Sequence, residues 1–373
     1  MDIVYHDWLL YIMVFAMSFG IVLFLTPWSR KVSVKLGAID QPKARGMHKE
    51  PIPRLGGIAI VLGFMATMAV VAIFMNELRT LEFLGFVIGA LIIVGLGILD
   101  DIKNLRAGLK FVVQIVAALV VVATGTRIDF IGWPFVEVFE YLSIPITIFW
   151  IVGMINALNF IDGVDGLAAG VSSIAAIFLT VLCIMTGSPL AVVFTATLAG
   201  SCLGFLPRNF SPADVIMGDT GATFLGYVLA VSSIIGVYKS YALLSVAIVG
   251  FAIALPIMDA IFVIVRRTLS GKSAMVADRG HLHHKLIDMG YSHKQTVIIS
   301  YIISILCGGI AILIAIRDIR AVIIALVSLF VIFAIAYAYR KRMGERIEKP
   351  NNKPEQQPNL ETDTDTEPKP ELE

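Results

Sequence analysis

Charge is what this sequence has least of. Asp, Glu, Lys and Arg make up only 15% of its 373 residues and apolar residues 58%, whereas water-soluble domains carry about 25% and 45–50%. Mean hydropathy is +0.86. The missing charge leaves uninterrupted apolar blocks of about 17–25 residues, long enough to cross a hydrocarbon core of about 30 Å. A water-soluble fold is therefore excluded. Cysteine is also scarce. Cys183, Cys202 and Cys307 all lie inside apolar blocks and form no CxxC pair, so they read as small buried hydrophobes, not redox or metal groups. Residues 1–7 contain no Lys or Arg. The apolar run that follows is too long for a signal-peptide core and lacks a small-residue cleavage site, so it reads as a first membrane helix. No repeat predicts inverted halves.

The apolar blocks predict an all-α polytopic membrane protein of about eleven transmembrane helices. They fall near 8–28, 55–75, 83–99, 108–125, 144–160, 167–186, 189–206, 221–238, 241–265, 296–316 and 320–339. Trp8, Trp28, Trp133 and Trp150 lie at or near proposed ends, where interfacial anchors belong. Leaving the C-terminal tail aside, seventeen Lys and Arg follow odd-numbered helices and five follow even-numbered ones. The positive-inside rule then sets the N-terminus outside and the C-terminus in the cytoplasm. The membrane domain covers residues 1–343. Residues 344–373 are polar and acidic, with little to bury, and read as a disordered cytoplasmic tail. The outer loop 126–143 alternates apolar and polar residues and predicts a short hairpin or an interfacial segment.

The unusual polar residues gather on one side. Asp100 and Asp101 close the third helix in GILDDIKNLRAG. Adjacent carboxylates at a membrane boundary are costly unless paired; they read as a metal site or base, or as a helix end neutralised by Lys103 and Arg106. In NALNFIDGVDG, Asn156, Asn159, Asp162 and Asp165 recur every third residue. If the segment is helical they share one face, and all are oxygen ligands suited to a hard cation. In MGDTGATFLG, Gly218, Asp219, Thr220 and Gly221 open the eighth helix. Such an entry offers free N–H groups to an anion, or Asp219 or Thr220 serves as a plain cap. The last inner loop holds His281, His283 and His284 in ADRGHLHHKL, which fits zinc or contacts to phosphate or sugar. The first inner loop, DQPKARGMHKEPIPRLGG, brings His48, Lys49 and Arg54, either as a topology signal or to meet a pyrophosphate.

These motifs, in this order and spacing, resemble the polyprenyl-phosphate N-acetylhexosamine-1-phosphate transferase family (glycosyltransferase 4 type). The likeness spans residues 40 to about 290. The GHLHH form and the first inner loop are similar to the branch that transfers GlcNAc-1-phosphate, and most similar to Gram-positive enzymes that initiate teichoic-acid linkage units. The peptidoglycan branch, acting on UDP-MurNAc-pentapeptide, usually has three consecutive histidines, where Leu282 intervenes here.

The resemblance implies transfer of GlcNAc-1-phosphate from UDP-GlcNAc to undecaprenyl phosphate, with release of UMP, at the cytoplasmic face of the bacterial plasma membrane. It implies Mg²⁺, with Mn²⁺ as a substitute, and allows a homodimer; no nucleic-acid partner is expected. By motif, Asn156 and Asp219 correspond to metal ligands, and Asp100, Asp101 and Asp162 to catalytic carboxylates. Asn159 and Asp165 would help hold nucleotide and sugar. His48, Lys49, His281, His283 and His284 would contact phosphate or sugar. The peptidoglycan branch carries Phe before Met-Gly-Asp, where it can stack on uracil. This chain has Ile216, so either uracil recognition differs here or another aromatic such as Phe160 substitutes. An ion-coupled transporter is the rival reading and would place its ionisable residues near the midplane; Asp259 is the one such candidate. A zinc hydrolase built on the histidines is the other.

Overall fold

The computed structural model describes residues 7–41, 50–128, 136–235 and 291–315, together with 250 and 323. The expected helices over 241–265 and 320–339, the tail, and His48, Lys49, Asp259, His281, His283 and His284 lie outside them. Within the described residues the chain is mostly helical, and seven helices are long and apolar enough to cross a membrane. This is the make-up of a polytopic membrane protein. The helices are α1 (Asp7–Leu36), α2 (Gly57–Phe74), α3 (Leu81–Lys103), α4 (Ala107–Ala123), α5 (Val136–Ile161), α6 (Leu167–Met185), α7 (Pro189–Asn209), α8 (Gly218–Ser232) and α9 (His293–Ala315).

Each falls on a block expected from the sequence, though several run further. The 30 residues of α1 reach about 45 Å, beyond a hydrocarbon core of about 30 Å. Its last two turns carry Arg30, Lys31 and Lys35 out of the apolar layer. Residues 136–143, expected in a hairpin or interfacial loop, instead begin α5. The start of that loop is tied to the helix: Ser143 Oγ donates to Ile128 O at 2.7 Å and Ile128 N donates to Thr147 Oγ1 at 2.9 Å.

Apolar burial does not drive helices together in lipid, so close backbone packing must. Gly200 and Gly204, one turn apart on α7, supply it against α1. A Cβ at either would lie 2.3 and 2.4 Å from the carbonyl oxygens of Phe15 and Phe19. At the centre Phe64, Phe86, Phe194 and Phe224 meet edge-on or tilted. Tyr227 stacks on Phe86 and donates its hydroxyl to Phe86 O at 2.8 Å. This core welds α2, α3, α7 and α8 and fixes where α3 ends relative to where α8 begins.

A two-residue antiparallel ribbon, β1 (Ile39–Asp40) with β2 (Ile52–Pro53), closes the first loop. Arg54 N donates to Ala38 O at 3.0 Å, and Leu55 N to Ser33 Oγ at 2.7 Å. Arg54 is thus pinned beside the end of α1. Ile216 N donates to Pro53 O and Gly56 N to Ile216 O, at 2.8 and 3.0 Å, so the ribbon is stitched to the segment entering α8.

Candidate active site

The carboxylates converge where α3 ends and α8 begins. Met217, at the N-cap of α8, gives no side-chain cap. Asp101 does this from another helix: its Oδ1 accepts from Asp219 N and its Oδ2 from Thr220 N, both at 2.9 Å. Thr220 Oγ1 donates to the same Oδ2 at 2.6 Å. A buried carboxylate facing free N–H groups at a positive helix end is favourable on both counts. The entry expected to present N–H groups to an external anion therefore spends these two on Asp101. The geometry requires glycine at 218, where φ is +71°; a Cβ would lie 2.1 Å from Arg54 O and 2.8 Å from both Asp101 carboxylate oxygens.

With its backbone held this way, Asp219 presents its side chain to a row of donors. Arg54 reaches its Oδ1 at 3.1 Å, and Lys110 Nζ its Oδ2 at 2.9 Å. Asn159 Nδ2 donates to that Oδ2 at 3.3 Å. Lys110 Nζ also contacts Asp100 Oδ2 at 2.5 Å, and Arg54 Nε contacts Asp101 Oδ1 at 3.2 Å. Asp100 Oδ1 accepts from Leu105 N at 2.7 Å. The aspartate pair is thus neutralised by Lys110 and Arg54, not by Lys103 and Arg106. Burial works against the Arg54 charge, yet the carboxylates of Asp101, Asp219 and Asp40 outweigh it and hold its pKa above the ordinary value.

The NALNFIDGVDG segment does not remain helical throughout. Helix α5 stops at Ile161 and residues 162–166 turn, with Gly166 at φ +80°, so the four polar residues do not share one face. Asn159 reaches Asp219. Asn156, a turn deeper, donates to Gln114 Oε1 at 2.7 Å and Val152 O at 2.8 Å, which leaves its amide oxygen as the acceptor for another donor or a cation. Asp162 lies just past the helix; withdrawal from solvent pushes its pKa well up, and the negative charges of Asp219 and Asp101 push the same way. Asp165 turns toward the α7–α8 loop, where its Oδ2 accepts from Ala213 N at 3.1 Å. Asn209 Oδ1 accepts from Gly166 N at 3.1 Å, and Tyr301 donates its hydroxyl to Gly166 O at 2.5 Å. Phe160, next in sequence to Asn159, is 47% exposed, while Ile216 contributes backbone to the ribbon.

Sequence reasoning counted Lys110 only among the inner-side basic residues and missed Gln114, Asn209 and Tyr301 as parts of this end of the bundle. Lys110 left one signal: a lone cation in the first turn of an apolar helix, where the dipole disfavours it.

Among the described residues no three His, Cys, Asp or Glu side chains close into a metal cage. The donor chemistry nonetheless fits a hard cation. Asp100, Asp101 and Asp219 carry three negative charges against the two positive charges of Arg54 and Lys110. The ammonium shared by Asp100 and Asp219 marks a position where positive charge is stabilised. The oxygens it contacts, from Asp100 and Asp219, are carboxylates, hard donors of the kind Mg²⁺ takes.

Comparison with known proteins bears on the same residues. The model of glycosyl transferase family 4 matches residues 83–237, which include Asp100, Asp101, Lys110, Asn156, Asn159, Asp162 and Asp219. A Bacillus subtilis protein named probable undecaprenyl-phosphate N-acetylglucosaminyl 1-phosphate transferase is 38% identical over 327 residues, covering 87% of this chain and 88% of that one. The decaprenyl-phosphate N-acetylglucosaminephosphotransferase of Mycolicibacterium smegmatis is 33% identical, covering 78% and 79%. The undecaprenyl-phosphate alpha-N-acetylglucosaminyl 1-phosphate transferase of Escherichia coli K12 is 26% identical, covering 77% and 79%. Because the similarity runs through the membrane helices as well as the segment that gathers the carboxylates, the chain belongs to glycosyl transferase family 4.

Proposed function

We propose that this protein transfers GlcNAc-1-phosphate from UDP-GlcNAc to undecaprenyl phosphate at the cytoplasmic membrane face, giving undecaprenyl-diphospho-GlcNAc and UMP. We assign the product to the first membrane step of a cell-wall glycopolymer of the teichoic-acid type. The observation that carries the reading is Asp219 at the head of α8, held between Arg54 and Lys110 with Asp100 and Asp101 alongside. The named activities of the relatives supply the substrates, and the excess of Lys and Arg after odd-numbered helices supports the cytoplasmic side.

Phosphoryl transfer asks the protein mainly to position reactants and offset charge. An oxygen of the lipid phosphate attacks the sugar-linked phosphorus, and UMP leaves in line. That oxygen is already anionic near neutral pH, so no strong base is needed, and Asp100 serves to position Lys110. Arg54 and Lys110, both partly exposed beside Asp219, would offer their remaining N–H donors to the non-bridging oxygens. Asp101 holds the helix end that aims Asp219. Mg²⁺, when bound, supplies the positive charge that offsets the diphosphate and the departing UMP. Asp219 would hold it, with the amide oxygen of Asn156 or Asn159. The cluster lies at one end of the bundle, where a lipid arriving sideways can meet a soluble nucleotide, and not at the midplane expected of an ion-coupled transporter.

The test is to incubate the purified protein with undecaprenyl phosphate and a panel of UDP-sugars, with Mg²⁺ or with a chelator, and to follow UMP and lipid product together. UMP and lipid product should appear in equal amounts, with UDP-GlcNAc alone, and stop with the chelator. UMP formed without a lipid product, or equal turnover of another UDP-sugar, would refute the assignment.

A further inference from the structure

A charged cleft lies at the same end of the bundle but shares no lining residue with the carboxylate cluster. Thr26, Pro27, Arg30, Lys31 and Val34 of α1 form one wall; Arg208, Asp214 and Val215, where α7 passes into its loop, form the other. The cavity measures about 420 Å³. Arg208 pairs with Asp214 at 2.9 Å, which leaves Arg30 and Lys31, both exposed, as lining charges with no acidic partner among the described residues.

The α1 wall has a direction. Leu23, Pro27, Arg30 and Val34 follow helical spacing of four, three and four and so share one face. Leu23 is an exposed apolar residue about 10 Å along the axis from Arg30, on the side of the apolar layer. Phe24 and Trp28, also exposed, continue that layer on the adjoining face. Positive charge therefore sits at the head of an apolar track, an arrangement that suits an amphiphile better than a free anion.

We propose that this cleft binds the phosphodiester headgroup of an anionic membrane lipid, with Arg30 and Lys31 on the phosphate and an acyl chain along Pro27 and Leu23. The second wall of the cleft also touches the active site's scaffold. Asp214 N donates to Arg208 O, and Asn209 Nδ2 donates to Val215 O. Ile216 then joins the ribbon that positions Arg54.

The test reads lipid retention, not turnover. The full chain is purified in neutral detergent, exposed to phosphatidylglycerol or phosphatidylcholine, and weighed by native mass spectrometry. The intact protein should retain phosphatidylglycerol preferentially. Arg30→Gln and Lys31→Gln should each weaken retention about fivefold, while Lys35→Gln, on the same helix but outside the cleft, should leave it unchanged. Thermal unfolding without lipid checks that the variants fold. Equal retention of both lipids, or equal loss with Lys35→Gln, would overturn the proposal. So would stabilisation by inorganic phosphate as large as that by phosphatidylglycerol, which would make the cleft a free-anion site.

Discussion

Replacing Asp101 with Asn tests whether this carboxylate is a cap or a base. Its side chain is wholly buried, so water cannot repair what the substitution breaks. Both oxygens are committed: Oδ1 to Asp219 N and Arg54, Oδ2 to Thr220 N and Oγ1. An amide has one acceptor oxygen, so its NH₂ must face either the Asp219 or the Thr220 N–H. One hydrogen bond to a charged acceptor is lost, about 1.5–3 kcal/mol, and one buried donor is stranded, about 1–3 kcal/mol. The Arg54 pair adds less than about 1 kcal/mol, because Arg54 is partly exposed. The expected loss is about 2.5–7 kcal/mol, concentrated at the start of α8. Activity and thermal stability in detergent should therefore fall together in Asp101→Asn. Asp100→Asn should lower turnover with a much smaller stability change, because Lys110 reaches solvent. An Asp101→Asn protein that melts like the parent yet has lost turnover would refute the capping argument and make Asp101 a reacting group.

Other outcomes follow from the same geometry. Lys110→Met leaves Asp100 and Asp219 without their shared cation and should cut UMP release by about 100-fold or more, with Lys110→Arg restoring part of it. Asp162 has a raised pKa in the folded protein, so its contribution to stability is complete below the ordinary carboxylate pKa of about 3.9 and is lost as pH rises through the raised value. Thermal stability should decline over that alkaline-going window, and Asp162→Asn should flatten the decline. A Cβ at Gly97 would stand 2.5 Å from Thr220 Cα and 2.8 Å from Thr220 N. Gly97→Ala should therefore displace the head of α8 and abolish turnover, whereas Gly95→Ala, with open space around it, should be silent in the same assay.

The helices were legible because the bilayer sets their length: an uninterrupted apolar run of about twenty residues has few other folded forms. Their ends were less so. Hydropathy stops reporting where a helix leaves the membrane, which is why α1 continues through Arg30, Lys31 and Lys35 and α5 begins before the block that announced it. The membership of the polar cluster was readable from residue type and side. Its wiring was not. The Asn159–Asp219 and Lys110–Asp219 contacts join residues 60 and 109 positions apart, and no local pattern encodes which of two asparagines a turn apart faces the partner helix. The helical face expected for residues 156–165 failed at Asp162-Gly163, where the chain turns before the spacing can act.

The capping of α8 by Asp101 explains why the site needs two adjacent aspartates. A helix beginning inside a bundle has N–H groups that water cannot reach, and one carboxylate must be given up to them. The neighbouring position, rotated about 100° around α3, then points Asp100 toward Lys110. One aspartate fixes the helix that carries Asp219; the other fixes the cation that faces it. Asp219 is thereby held from both sides, through its backbone by Asp101 and through its carboxylate by Lys110 and Arg54. A carboxylate so held has paid its ordering cost in advance, so the backbone that carries Asp219 stays fixed whichever cation its side chain meets.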